Sequence, residues 1–105
     1  MTYQNAIAAL ADPTRQSVLE ALRAGPRSVG SLANDLPVSR PAVSQHLKVL
    51  SDAGLLRVET RGTRRLYQLE PQGFAELRAY LDGLWDDALA SFVTRAEEIA
   101  REEDT

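Results

Sequence analysis

The most informative stretch of the chain is Ser39–Leu50, which reads SRPAVSQHLKVL. Ser39 is a preferred N-cap residue and Pro41 is favoured in a first helical turn, so they predict the start of a helix. Its apolar residues recur at a spacing of three or four and fall within about 60° on a helical wheel. These residues are Val43, Leu47 and Leu50. The stretch therefore predicts an amphipathic helix, the fourth of the chain, that ends near Gly54.

The opposite face of this helix is polar, but it lacks the Glu and Lys pairs of an ordinary solvated face. It carries Arg40, Pro41, Ser44, Gln45 and Lys48, with no acid before Asp52. Arginine can donate two hydrogen bonds to guanine, glutamine can pair with adenine, and serine and lysine suit base edges or phosphates. The face therefore indicates DNA reading, and a solvated face that contacts nothing is the alternative.

The segments on either side of this helix complete a larger pattern. Ser28 is an N-cap for a short third helix over residues 29–35, and a tight connection over 36–38 leads to the fourth helix. Downstream, residues 55–60 and 64–69 are strand candidates that form a hairpin. Two helices joined by a tight turn and followed by a hairpin are the parts of a winged helix-turn-helix.

The tip of the hairpin, or wing, is strongly basic. It consists of Arg61, Gly62, Thr63, Arg64 and Arg65. Glycine permits the positive φ of a tight turn, and three arginines in five residues favour contact with DNA phosphates or the minor groove. A charged edge that blocks strand aggregation is the alternative. Four residues of the hairpin are expected to point inward and anchor it. They are Leu56, Val58, Tyr67 and Leu69.

The remaining segments are helical. A first helix is expected near residues 3–11, and Asp12-Pro13 begins a second that directs Val18, Leu19 and Leu22 inward and stops at Gly25-Pro26. A last helix of roughly 30 residues is expected from residue 71 to about residue 101, which at 1.5 Å per residue is about 45 Å long. The fold class is therefore mainly α with a small β-hairpin, in the order α-α-α-α-β-β-α, and residues 1–105 form one domain.

The last helix carries a broad apolar stripe that so small a domain cannot cover by itself. A homodimer covers it most economically, with the N-terminal helix and the last helix packed against their mates. The candidate interface residues are Ile7, Leu10, Leu77, Leu81, Leu84, Trp85, Ala88 and Phe92. A last helix folded back onto its own domain is the alternative.

The charge of the chain is unevenly distributed. The formal net charge is −3, yet residues 1–70 hold nine basic and six acidic residues, and residues 71–105 hold three basic and nine acidic residues. The acidic whole-chain pI of about 5.1 therefore hides a basic middle suited to phosphate contact.

Several kinds of site are excluded by composition. The absence of Cys removes disulfides and thiolate metal sites, and one His makes a poor transition-metal site. His46 lies at the edge of the core face and is expected to pack locally. With no nucleophile–base pair or glycine-rich phosphate loop, an enzyme is not expected, nor is any cofactor. No apolar run is long enough to span a bilayer, so we expect a cytoplasmic protein that makes no membrane contact.

Taken together, these motifs resemble those of ArsR/SmtB-type bacterial repressors. The resemblance covers roughly residues 3–95 and rests on four runs of sequence. They are Asp12–Arg15, Ser39–Leu50, Ala53–Leu56 and Arg61–Leu69. It implies a homodimeric winged helix-turn-helix that represses its own or a neighbouring operon from double-stranded operator DNA with twofold character. By position, the resemblance assigns base reading to Arg40, Ser44 and Gln45, backbone contact to Ser39 and Lys48, and flanking contact to the wing.

The chain departs from this family where many members sense metals. The third-helix stretch Ser31–Asp35 has no thiol, and the last helix has acids but no His. We therefore expect no metal site. The signal is left open between another ligand, a partner protein, or nothing beyond autoregulation. A protein-interaction module that uses the same scaffold without DNA is the alternative function.

Overall fold

A computed structural model of the protein describes residues 2–104, with side-chain environments from residue 4 onward. Its elements follow the order α-α-α-α-β-β-α, which confirms the predicted fold. They are α1 (Thr2–Leu10), α2 (Pro13–Leu22), α3 (Val29–Asp35), α4 (Arg40–Asp52), β1 (Leu56–Arg61), β2 (Arg64–Leu69) and α5 (Pro71–Glu103). The strands pair antiparallel, from Leu56 opposite Leu69 to Arg61 opposite Arg64.

The corner between α1 and α2 is closed by three side chains from residues 12–16. The Asp12 carboxylate caps α2 by accepting the backbone N–H groups of Thr14 and Arg15 at 2.8 and 3.1 Å. In return, Arg15 Nε donates to the Ala9 carbonyl at 2.8 Å, and Gln16 Nε2 donates to the Leu10 carbonyl at 2.6 Å. These bonds satisfy groups that both helix ends would otherwise leave unpaired.

This cap is expected to make stability depend on pH. The hydrogen bonds from the backbone N–H groups of Arg15 and Thr14 hold the pKa of Asp12 below its ordinary value. A carboxyl with a lowered folded-state pKa stabilises the protein above its unfolded pKa of about 3.9 and loses that contribution as the pH falls. Asp12→Asn keeps a capping oxygen without the charge, so its Tm should fall below that of the wild type at pH 6, and the difference should shrink towards pH 3. A difference in Tm that is constant across this range would contradict the assignment.

The core lies where α2, α3, α4 and the base of the wing meet. The three predicted apolar positions of α4 are completely buried, which confirms the orientation of that helix. They pack with residues from the neighbouring elements, chiefly Val18, Leu22, Leu32, Leu55 and Leu56. In α1 the buried side chains are Ala6 and Ala9, whereas Ile7 is exposed and Leu10 is half-buried against the core. The small alanines let α1 lie close to the domain.

The wing is fastened at its base by a contact that sequence reasoning did not anticipate. Arg27, just before α3, forms an isolated bridge with Tyr67, and their backbone N–H and C=O groups exchange bonds of 2.9 and 2.8 Å. Leu56 is buried, and Tyr67 and Leu69 pack partly against the core, as predicted.

The inward orientation predicted for Val58 is wrong, since this side chain is 39% exposed. The hairpin leaves the core as it extends from its base, so position 58 faces a cleft rather than the interior. Leu66, which pairs with Glu59 and so faces the other side of the hairpin, is buried instead.

Helix α5 leaves the domain after its first three turns. Phe74 packs against the core and Leu77 is only 6% exposed, but every described residue from Leu81 to Asp104 is exposed. The protein consequently measures 74 × 25 × 24 Å, and the alternative of a helix folded back onto its own domain is wrong. Leu77 already belongs to the core of its own protomer, which leaves it little surface for the predicted dimer interface.

Candidate nucleic-acid interface

The N-terminal half of α4 presents the residues predicted to read DNA. Ser39 caps the helix by accepting the N–H of Ala42 at 3.3 Å, and it is itself exposed. The other five candidates of this helix are also exposed, on the side opposite its buried face. They are Arg40, Pro41, Ser44, Gln45 and Lys48. The helix N-terminus adds a partial positive charge that favours phosphate.

Arg40 lies across the first turn of α3. A Cβ added at Gly30 would come within 2.9 Å of the Arg40 Nη2 atom. The absence of a side chain at Gly30 therefore leaves room for the guanidinium group of Arg40. Sequence reasoning did not single out Gly30, because nothing in its own neighbourhood shows that an arginine ten residues later needs the space.

The wing arginines differ in their partners. Arg61 donates to Glu59 at 3.2 Å. Arg65 lies over the Tyr67 ring, with its guanidinium carbon 5.8 Å from the ring centroid. Gly62 occupies the turn with φ of +62°, the conformation for which glycine was predicted there. Thr63 and Arg64 are exposed at the tip beside it.

Helix α4 and the wing flank an open cleft of about 300 Å³, which we call the wing–helix cleft. Its lining residues come from both elements. They are Ser44, Lys48, Ser51, Asp52, Val58, Arg65 and Tyr67. The fold thus brings two predicted DNA contacts of α4, Ser44 and Lys48, to the same cleft as Arg65 of the wing. Val58 is exposed because it forms part of this cleft.

Ion pairing separates the basic residues into two groups. Six of the nine in residues 2–70 have a carboxylate within 4.0 Å, mostly a near neighbour in the chain. They are Arg15, Arg23, Arg27, Lys48, Arg57 and Arg61. Within the described part of the chain, Arg40, Arg64 and Arg65 have no carboxylate partner. All three belong to the predicted DNA-contacting set, so within residues 2–70 the cations left available for phosphate or bases lie on α4 and the wing.

His46 is half-buried, as predicted. Among the described residues there is no group of three His, Cys, Asp or Glu side chains arranged to hold a metal ion. No helix in residues 2–104 combines the length and apolar character that a bilayer span requires.

Comparison with known proteins places this geometry in context. A family model described as a helix-turn-helix domain matches residues 10–59. The chain is 58% identical over 84 residues to the HTH-type transcriptional regulator Rv2034 of Mycobacterium tuberculosis, covering 80% of this chain and 78% of the relative. It is 41% identical over 69 residues to the HTH-type transcriptional repressor SmtB of the same organism, covering 66% of this chain and 51% of that protein.

A solved structure shows the same architecture. The homodimeric winged helix-turn-helix DNA-binding domain Mb0332 of Mycobacterium bovis, determined by solution NMR, superposes with a TM-score of 0.66 at 27% sequence identity. The match covers 82% of this chain and 80% of that domain.

Proposed function

The chain belongs to the ArsR/SmtB family of winged helix-turn-helix transcriptional regulators, and from this premise we propose that it is a homodimeric repressor of its own or a neighbouring operon. As a family member it is a DNA-binding transcriptional regulator and not an enzyme. In the dimer, two copies of α4 and the wing bind double-stranded operator DNA with twofold character. Bound there, the dimer would exclude the transcription machinery from the promoter, in the cytoplasm of a bacterial cell.

The observation that carries the DNA-contact assignment is the distribution of unpaired cations. Arg40 stands at the N-terminal end of α4, and Arg64 and Arg65 stand at the wing tip, all without carboxylate partners in the described chain. In a winged helix-turn-helix, the recognition helix enters the major groove and its N-terminal residues contact base edges. We therefore assign base reading to Arg40, Ser44 and Gln45.

The remaining residues of the interface contact the DNA backbone in this proposal. Ser39 and Lys48 flank the base-reading positions on α4, with Pro41 setting the first turn. The wing residues lie beside them at the flanking groove. They are Arg61, Gly62, Thr63, Arg64 and Arg65. Contacts to phosphate set the register of a protein on the duplex, and contacts to bases specify the sequence.

Dimerisation is proposed through the exposed stripe of α5 and the free side of α1. Isolated apolar residues are common on protein surfaces, but a continuous row of large ones marks an interaction site. The proposed interface consists of Ile7, Leu10, Leu81, Leu84, Trp85, Ala88 and Phe92. A twofold dimer places its two reading helices on half-sites related by the same symmetry, which is why the operator should have twofold character.

The test compares one base-reading and one phosphate-contacting residue. Gln45→Ala should cost about 1–3 kcal/mol at one base position and relax the choice of base there. Arg64→Ala should weaken all sequences about equally and make the slope of log K against log salt shallower by about 1. Selection of bound fragments from genomic DNA by purified protein, followed by fluorescence anisotropy at several salt concentrations, measures both effects.

Arg23→Ala is the matched control, since Arg23 is exposed but pairs with Glu20 away from the interface. It should leave affinity and salt slope close to wild type. Absence of binding at low salt, both to the upstream region of its own gene and to genomic fragments, would contradict the proposal. A stable hetero-complex insensitive to charge reversal at Arg40 or Arg64 would favour the protein-interaction module instead.

A further inference from the structure

Asp52 is the one acidic residue that lines the wing–helix cleft. Its Oδ2 atom lies 3.0 Å from Lys48 Nζ, and both side chains are largely exposed, at 66% and 76%. Two cations and one carboxylate therefore share a cleft on the surface that is proposed to face DNA. A carboxylate at such a place opposes the approach of a phosphate and competes with it for the lysine.

Helix stability does not account for this acid. Asp52 is the last residue of α4, where the helix dipole is negative and a carboxylate is unfavourable. The pair also has the lysine four residues before the acid, which is the less favourable order on a helix. An exposed pair of this kind contributes little to folding. The local physics thus disfavours an acid at this position, which points to a role outside α4 itself.

The two cations of the cleft differ in whether they have a carboxylate partner. Arg65 has no carboxylate partner in the described chain and rests near the Tyr67 ring. Lys48 is held by Asp52. Ser44, exposed one turn before Lys48, adds a hydroxyl that can donate to a phosphate oxygen. A phosphate that enters the cleft therefore finds a free guanidinium and a hydroxyl at once, but it gains the ammonium only by displacing Asp52.

We propose that the wing–helix cleft binds one backbone phosphate of the DNA, and that Asp52 is a specificity-determining residue that opposes binding driven by phosphate contacts alone. This inference rests on the proposed DNA-binding function. Non-operator DNA is held almost entirely by phosphate contacts and in many registers, so a repelling carboxylate weakens it most. On the operator, base contacts fix one register, in which Lys48 leaves Asp52 for the phosphate.

The test is Asp52→Asn, measured on a duplex of about 30 base pairs that carries the selected operator and on a scrambled duplex of the same composition. We expect affinity for the scrambled duplex to rise about fivefold, with a smaller rise on the operator. On the scrambled duplex, the slope of log K against log salt should steepen by about 0.9, as for one additional phosphate contact. The Tm should stay unchanged or rise, since the acid does not stabilise α4.

Asp87→Asn is the matched control, because it makes the same change in net charge at an exposed position of α5. In a Lys48→Met background, Asp52→Asn should lose most of its effect if the two residues act as a pair. The inference is overturned if Asp52→Asn and Asp87→Asn have the same effect, or if the operator and the scrambled duplex gain equally. Wild-type protein that binds neither duplex at low salt would instead overturn the DNA-binding proposal itself, together with this inference.

Discussion

Gly73→Ala is expected to destabilise the protein by about 3 kcal/mol or more. A Cβ at this position would lie 1.9 Å from the carbonyl oxygen of Gly54 and 2.8 Å from its carbonyl carbon. Both are backbone atoms, so no rotamer change can relieve the clash. Gly54, two residues after the end of α4, has a φ of +81° and precedes the fully buried Leu55. Any adjustment must therefore move the start of α5 away from the turn that joins α4 to the wing.

Gly83 offers a matched control within the same helix. Apart from the adjacent backbone of α5 itself, no atom lies within 4 Å of the position where its Cβ would be, so alanine fits without strain. Because glycine in a helix interior costs up to about 1 kcal/mol relative to alanine, Gly83→Ala should stabilise α5. Urea denaturation followed by circular dichroism measures both variants. If the midpoints of the two variants shift in the same direction, the close approach of α5 to the turn at Gly54 is refuted.

The helix ends could be predicted from the sequence because each depends on a few consecutive residues. Ser28 and Ser39 accept the N–H groups of Ser31 and Ala42, within three residues of each cap. Asp12 acts over the same short range. The apolar spacing that follows each cap then fixes which side of the helix is buried. The bounds of α3 and α4 predicted from such local patterns were confirmed, whereas α2 ends at Leu22, before the predicted stop at Gly25-Pro26.

Features that join distant parts of the chain could not be predicted in this way. The bridge between Arg27 and Tyr67 spans forty positions, and the contact of Gly73 with Gly54 depends on how α5 leaves the wing. Strand alternation indicated which hairpin residues share a face, but not how far the hairpin extends beyond the core. Leu56 is buried because it lies at the base of the hairpin, and Val58 is exposed because it lies further along the hairpin, beyond the core.

The sequence indicated which residues make up the candidate site, but it did not indicate which of its basic residues have carboxylate partners. The sequence shows nine basic residues before position 71, and it does not show which have partners. The partner of Arg57 is Glu70 on the neighbouring strand end, thirteen residues later, and Arg27 pairs with Asp35 across α3. Only the three-dimensional arrangement reveals that Arg40, Arg64 and Arg65 are left without carboxylates in the described chain.

Acidic substitutions in the exposed stripe of α5 are expected to make the protein monomeric. Trp85 and Phe92 are 66% and 70% exposed in the protomer, although burial of such aromatic rings dominates the energetics of protein interfaces. The double variant Trp85→Asp and Phe92→Asp places two carboxylates per chain into the proposed interface, where unpaired charge is costly. Light scattering after size-exclusion chromatography should then give the mass of one chain, near 11.5 kDa.

Loss of the dimer should reduce operator affinity on the order of 100-fold, since two linked half-site contacts become one. The circular dichroism spectrum of the double variant should remain that of a helical protein, because neither ring belongs to the protomer core. Ala90→Asp is the control: it is also exposed on α5, but it lies about 140° around the helix from Trp85. This variant should stay dimeric and bind the operator normally. A double variant that remains dimeric would refute the proposed interface. A monomer with undiminished operator affinity would instead refute twofold binding, which requires that the two recognition helices be joined in one dimer.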